Sequence, residues 1–264
     1  MDQEIIVNDN NLNAERPEER TERPVRVLAC DTSNASCSCC LSENGKPLAF
    51  AALDLGLRHS RTFMPMVHDL MRLTEMRYED LDFFACTVGP GSFTGIRIGV
   101  SAVQAMAFAA GKPAVPVSSL RALAFPLFDR RDALIGAMID ARNARVFSAA
   151  YYQGIEVVPE AAREISEFVG LCEAWRDSNA PEAAVLTCGN ACAAYTKNPD
   201  VSRVTPMHAF SEIDPRAVAA IAEASFRSCD EASRARVFVP EALLPVYLTR
   251  TAAERNLEKS CKTE

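Results

Sequence analysis

Gly89-Pro90-Gly91-Ser92-Phe93-Thr94-Gly95-Ile96-Arg97-Ile98-Gly99-Val100 links an apolar run, Phe83 to Val88, to a stretch of small residues that ends at Ala110. A buried strand, a glycine-rich turn and a helix are the unit this pattern describes. Free backbone N–H groups at such a helix start suit an anion. However, Gly95 is followed by Ile96-Arg97 rather than by Lys and Ser or Thr, so the segment is not a Walker loop. Glycines also let the chain turn sharply, and Gly95, Gly99, Ala102, Ala105 and Ala109 let a second helix approach closely, so packing is the favoured reading. A crossover helix calls for a parallel neighbour, and Lys112 to Val117 supplies it.

Upstream, Val25 to Cys30 is a β run, Asp31-Thr32-Ser33-Asn34 a turn and Ala35 to Ser42 a second strand. Asn44-Gly45 signals a tight turn into a third antiparallel strand, Pro47 to Leu53. From His59 the period becomes helical, with Phe63, Met66, Val67, Leu70 and Leu73 on one face, Ser60 as N-cap, and Pro65 either near the helix start or at a bend. Downstream, Ser118 or Ser119 caps a helix from Leu120 to Phe128. Leu134 to Asp140 and Val146 to Tyr152 open a second set of strands. A helix from Ser166 to Arg176, a strand from Ala183 to Cys188, a helix from Pro215 to Ser228 and a tail at Pro245-Val246-Tyr247-Leu248 follow. The pattern predicts an α/β fold with mixed sheets, the second half a trimmed copy of the first.

The chain has 264 residues and a net charge of −7, which argues against nucleic-acid binding by its own field. Residues 1–24 hold seven acidic and three basic side chains with few large apolar groups and are expected to be a disordered leader. No secretory signal and no run of about 18 apolar residues is evident, so a cytoplasmic protein is expected. The ten cysteines are read as buried thiols, the C-x-x-C of Cys37 and Cys40 included. With three histidines at unhelpful spacing and no Gly-x-Ser-x-Gly elbow, no metal site and no nucleophilic set is expected. Asp31-Thr32-Ser33 and Asp140-Ala141-Arg142 could hold phosphate and Mg²⁺, although local turn bonding and salt bridging explain them as well. Four of the eight methionines lie between His59 and Met76, and a helix apolar on two faces meets two neighbours.

Taken in order, Leu28-Ala29-Cys30-Asp31-Thr32-Ser33, His59-Ser60-Arg61, Gly89 to Gly99, Val117-Ser118-Ser119-Leu120, Asp140-Ala141-Arg142 and Pro245-Val246-Tyr247-Leu248 resemble the TsaB (YeaZ) family. The resemblance implies an actin-like ATPase (ASKHA) fold with a first lobe at 25–130 and a second, reduced lobe with the C-terminal tail at 131–264. It also implies a non-catalytic subunit for threonylcarbamoyl transfer to N6 of adenosine 37 in tRNAs reading ANN codons. The chemistry then belongs to the paralogue TsaD, the ATPase TsaE joins, and tRNA is met through the complex. Where TsaD carries a histidine pair, only His59 stands here, with Phe63 four residues on. From helical geometry, Met64, His68, Met71, Arg97, Ser101, Gln104 and Phe108 are expected to form the partner interface. Asp31, Thr32, Ser33, Asp140 and Gly189 are the candidates for a vestigial nucleotide site, with ATP or ADP and Mg²⁺ only in the complex. Homodimerisation of the free chain stays open. The alternatives are an ATP-dependent small-molecule kinase of the same superfamily and a peptidase of the related glycoprotease family.

Overall fold

A computed structural model describes residues 24–56 and 58–249. The segment read as a leader lies outside them except for Pro24. The chain opens with β1 (Arg26–Asp31), β2 (Cys37–Glu43) and β3 (Lys46–Leu53). Antiparallel pairing runs from Arg26 opposite Glu43 to Asp31 opposite Ser38, and left-handed Asn44 and Gly45 make the β2–β3 turn. Next come α1 (His59–Leu73), β4 (Phe83–Gly89), α2 (Phe93–Ala110), β5 (Ala114–Ser118) and the short α3 (Ser119–Ala124). The first sheet has the order β3-β2-β1-β4-β5, with β1, β4 and β5 parallel.

The second half repeats this plan. β6 (Ala133–Asp140), β7 (Arg145–Tyr152) and β8 (Ile155–Glu164) form a meander. They are followed by α4 (Ile165–Asn179), β9 (Ala184–Cys188), α5 (Asn190–Ala194) and the two-residue β10 (Thr205–Pro206). Read from its meander edge, the second sheet runs β8-β7-β6-β9-β10, the order of the first. The last α-helices among the described residues are α6 (Pro215–Ser228) and α7 (Glu231–Val237).

Alternation along β1 explains the layers. Leu28 and Cys30 face α1 and α2, whereas Val27 and Ala29 face a middle layer shared with the second sheet. That layer holds α3, which touches β4 and β5 on one side and β6 and β7 on the other, and α6. Leu134, Met138, Phe168 and Val169 make a third core beneath α4. The segment 215–228, expected in the second lobe, therefore packs on β1, β2, β4 and β5 of the first sheet. Phe226 stacks on Phe83 with ring centroids 4.3 Å apart, because the inner face of that sheet is apolar and needs cover.

Ends of elements follow their chemistry. Ser92 and Ser118 cap α2 and α3 by accepting from the N–H groups of Gly95 and Arg121, and left-handed Gly111 closes α2. Ser60 does not cap α1; the cap position falls two residues earlier, at Arg58, with no side-chain bond there, and the helix runs from His59 through Pro65. The strand expected from Ala35 begins at Cys37, since Ser33 to Ser36 are bends. Among the described helices, α2 is long and apolar enough to cross a membrane. Here its Gly95 and Gly99 side is buried against the end of β1.

Candidate functional site

A cleft of about 650 Å³ opens between the lobes. Ser33, Asn34 and Ser92 line it from the first lobe, and Asp140, Arg142 and Asn190 from the second. The sequence places Asp31, Thr32 and Ser33 where β1 ends, and Asp140 at the matching end of β6, so the repeated topology brings the two acidic turns to opposite walls. Asp140 is half-buried in the cleft wall, Ser33 borders the cleft with no exposed surface, and Asp31 and Thr32 are fully buried beneath it.

Asp31 Oδ1 accepts from Thr87 Oγ1 at 2.5 Å, Ser33 Oγ at 2.6 Å and Ser33 N–H at 3.1 Å. Oδ2 has no partner among the described residues. Burial raises the Asp31 pKa above the ordinary carboxylate value, and the Ser33 and Thr87 hydroxyls oppose that shift. Thr32 Oγ1 donates to Gly95 O at 2.8 Å, and Ser92 N–H donates to Ser33 O at 2.7 Å. A Cβ on Gly91, Gly95 or Gly99 would run into Ser33 O, Thr32 O or Thr32 Oγ1 respectively. The close approach that needs these glycines is therefore made by the 31–33 turn of the chain itself, not by a second helix.

On the other wall, Asp140 Oδ1 accepts from Tyr195 Oη at 2.6 Å and Arg142 N–H at 2.7 Å. Gly189, at φ 106°, is buried against the Met138 carbonyl and the Leu123 methyl. It serves packing and does not line the cleft. The Ser92 and Gly95 N–H groups, the Thr32 hydroxyl and one oxygen of each acidic side chain are already bonded within the chain.

One cleft residue, Asn34, entered the sequence reading only as part of a turn. Asn34 is 4% exposed, and neither polar atom of its side chain has a partner among the described residues. His59 Nε2 lies 2.8 Å from Asn34 O, tying α1 to the β1–β2 loop, while Phe63 is in the core. The position of Asn34 next to Asp31-Thr32-Ser33 was the available signal. Among the described residues, no group of three His, Cys, Asp or Glu side chains could hold a metal ion. Cys37 and Cys40 belong to cores on opposite faces of the sheet, as residues three apart in a strand must. Burial pushes the thiols of Cys39, Cys40 and Cys172 up to about 12.

The second candidate is the outer side of α1 and α2. Met64 and Phe108 are 42% and 72% exposed, and His68 and Ser101 are exposed between them. Met71 is not on this face: it is 4% exposed, because it follows Val67 by four residues and joins the core stripe. Arg97 and Gln104 are held by the C-terminal segment. Arg97 Nε donates to Tyr247 Oη at 2.8 Å and its guanidinium sits 4.0 Å from the Phe93 ring centroid, while Gln104 Nε2 donates to Leu243 O at 2.9 Å. Leu73, expected on the core face of α1, is 71% exposed because it lies at the last turn beyond the buried stripe, and Ala105 and Ala109, expected to let a second helix approach, are exposed on α2.

Two lobes of matching strand order, a cleft between them and helices in the layer between the sheets define an actin-like (ASKHA) fold. A family model described as "TsaD: tRNA N6-adenosine threonylcarbamoyltransferase" matches residues 55–256. The "tRNA threonylcarbamoyladenosine biosynthesis protein TsaB" of Escherichia coli (strain K12) is 32% identical over 185 residues, covering 62% of this chain and 80% of that protein. Its Bacillus subtilis (strain 168) namesake is 36% identical over 125 residues, or 47% and 54% of the two chains. The solved structure "YeaZ from Pseudomonas aeruginosa" superposes with a TM-score of 0.69 at 28% identity, over 85% of this chain and 100% of that one. The chain belongs to the TsaB (YeaZ) family.

Proposed function

We propose that this chain is a non-catalytic subunit in the formation of threonylcarbamoyladenosine at adenosine 37 of tRNA, and that it pairs with TsaD through α1 and α2. TsaE joins that assembly, and the tRNA is held by the complex in the cytoplasm. The observation that carries the reading is the apolar, small-residue face around Met64, Ser101, Ala105 and Phe108. Exposed side chains of this kind on adjacent helices suit helix-on-helix packing. The names of the family members supply the reaction. A supporting role, rather than catalysis, agrees with a cleft histidine bound to a backbone carbonyl and with acidic side chains each tied through one oxygen to hydroxyl groups of the chain. The net charge of −7 agrees with contact to tRNA through a partner.

The test is reconstituted threonylcarbamoyladenosine formation with TsaD, TsaE and the adenylate-making synthase, with and without this chain. Activity is expected to depend on it. Met64→Glu combined with Phe108→Glu is expected to abolish co-purification with TsaD and reduce product at least about tenfold, since two charges would be desolvated in the interface. Thermal melting should stay within a few degrees of the parent. Full activity without the chain, or unchanged pairing of the double variant, overturns the reading. Micromolar Mg-ATP binding to the isolated chain, measured by calorimetry, would favour a kinase instead.

A further inference from the structure

The C-terminal end of α2 and the segment that follows α7 leave a pocket of about 330 Å³ between them. Its walls are apolar: Ala107 and Phe108 of α2, Pro113 before β5, and Phe238, Val239 and Pro240. Ligand pockets run from about 300 to 1,000 Å³, so this one is scaled to a single large side chain. Phe108 belongs to two surfaces at once, since it bounds the pocket and is also the 72% exposed residue of the face made by α1 and α2.

Two cations stand among these walls, Lys112 and Arg234, and among the described residues no acidic side chain lines the pocket. Both are half-buried, and neither has an ion pair among the described residues. In a chain with 35 Asp and Glu against 28 Lys and Arg, an acid close to each is the ordinary expectation. Two half-buried cations left unpaired at one apolar pocket therefore mark a place where the anion comes from outside. Arg234 is held ready for it. Its Nε donates to Phe226 O at 2.7 Å and its guanidinium lies 4.2 Å from the Phe226 ring centroid, which fixes the plane and leaves the terminal nitrogens without a bond among the described residues. Asp230, the acid that feels the Arg234 charge, accepts from the Ser233 N–H at 2.7 Å as N-cap of α7 and stays outside the pocket.

We propose that this pocket receives an apolar side chain of TsaD with a carboxylate beside it, the side chain packing on Phe108 and Phe238 and the carboxylate meeting Lys112 and Arg234. The inference rests on the proposed pairing with TsaD and extends it past the C-terminal end of α2. Met64, Ser101, Ala105 and Phe108, which carry that pairing, are uncharged, so they give area without direction. Apolar packing alone tolerates sliding and reversal of the partner, whereas a charge pair at one end tolerates neither. The two cations therefore fix the register and polarity of the partner on α1 and α2. Charges of this kind, at the rim of an apolar contact, act first on the rate of association.

The kinetics of TsaD binding to the full chain, followed at about 50 and about 500 mM salt, test this. Lys112→Glu is expected to slow association about tenfold at the lower salt and Lys112→Gln to slow it less, with both differences shrinking at the higher salt. Lys112 makes no side-chain bond among the described residues, so both variants should melt as the parent does. Carbodiimide cross-linking of the complex should join Lys112 to an Asp or Glu of TsaD that has an apolar neighbour in sequence. A parent chain that does not bind TsaD overturns this proposal and the pairing together. Binding whose rate ignores the charge at Lys112, or a Lys112 cross-link to a carboxylate of the same chain or of a second copy, overturns this proposal alone and leaves the pairing through α1 and α2 standing.

Discussion

An alanine at Gly99 would carry its methyl into Thr32 Oγ1, which is itself anchored to Gly95 O at 2.8 Å and has no room to retreat. Gly99→Ala is expected to cost about 1 to 3 kcal/mol, read as a lower urea midpoint at unchanged m-value. Thr32→Ala in the same chain should recover part of that loss, since it removes the clashing atom. Asp31 makes a prediction in pH. Its folded pKa is raised by burial, so the folded state holds the proton more tightly than the unfolded one. Its contribution to stability is therefore greatest below the ordinary carboxylate range and declines as pH rises through that range toward the raised folded value. Asp31→Asn should remove this decline, seen as a flatter curve of unfolding free energy as pH rises above about 4. The sequence made both acidic turns visible, because Asp-Thr-Ser and Asp-Ala-Arg each follow an apolar strand. It could not show what presses against Gly95 and Gly99, which is a contact between residues more than sixty positions apart. Met71 was misplaced for a related reason: a helical wheel gives the angle of a residue, whereas the width of the buried stripe is set by what packs on it.

Among the elements, α2 depends on the irregular segment after α7. Leu243 is fully buried, Val246 N–H donates to Val88 O at 2.7 Å, and Tyr247 packs on Phe93 with centroids 5.0 Å apart. Tyr247→Ala is expected to cost about 1 to 2 kcal/mol and to speed hydrogen exchange at the first turn of α2. No change in either quantity would show that the strap does not hold the helix. Elements with a clear period were legible: the first meander, both long helices of the first lobe and β4 through β6 lie within a few residues of their expected bounds. β8 was not, because Ile155 to Glu164 mixes charge, proline and bulges and so lacks the alternation that marks a strand. The short α5 and α7 were lost for want of enough turns to display a period, and β10 is two residues long.

At the scale of the molecule, one apolar cluster joins Val27 and Phe83 of the first sheet to Ile135 and Ala137 of the second through α3 and α6. The lobes are therefore expected to unfold together. Phe226→Ala removes the ring stacked on Phe83 and should cost about 3 to 5 kcal/mol. Trp175, the single tryptophan, packs against Tyr152 in the other lobe and gives a separate probe. Its fluorescence transition should move with that of far-ultraviolet circular dichroism in the Phe226→Ala variant; a tryptophan transition left in place would mean separable lobes. The return of α6 to the first sheet also bears on how the chain is made. β5 donates its first N–H, that of Ala114, to Phe238 O, and among the described elements the inner face of its sheet is covered by helices beyond residue 118. A ribosome adding about 5 to 20 residues per second needs on the order of ten seconds to travel from Ser118 to Phe238. During that interval α3 alone is available to the inner side of the nascent first sheet, and the part over β1 and β2 waits for α6 to be made.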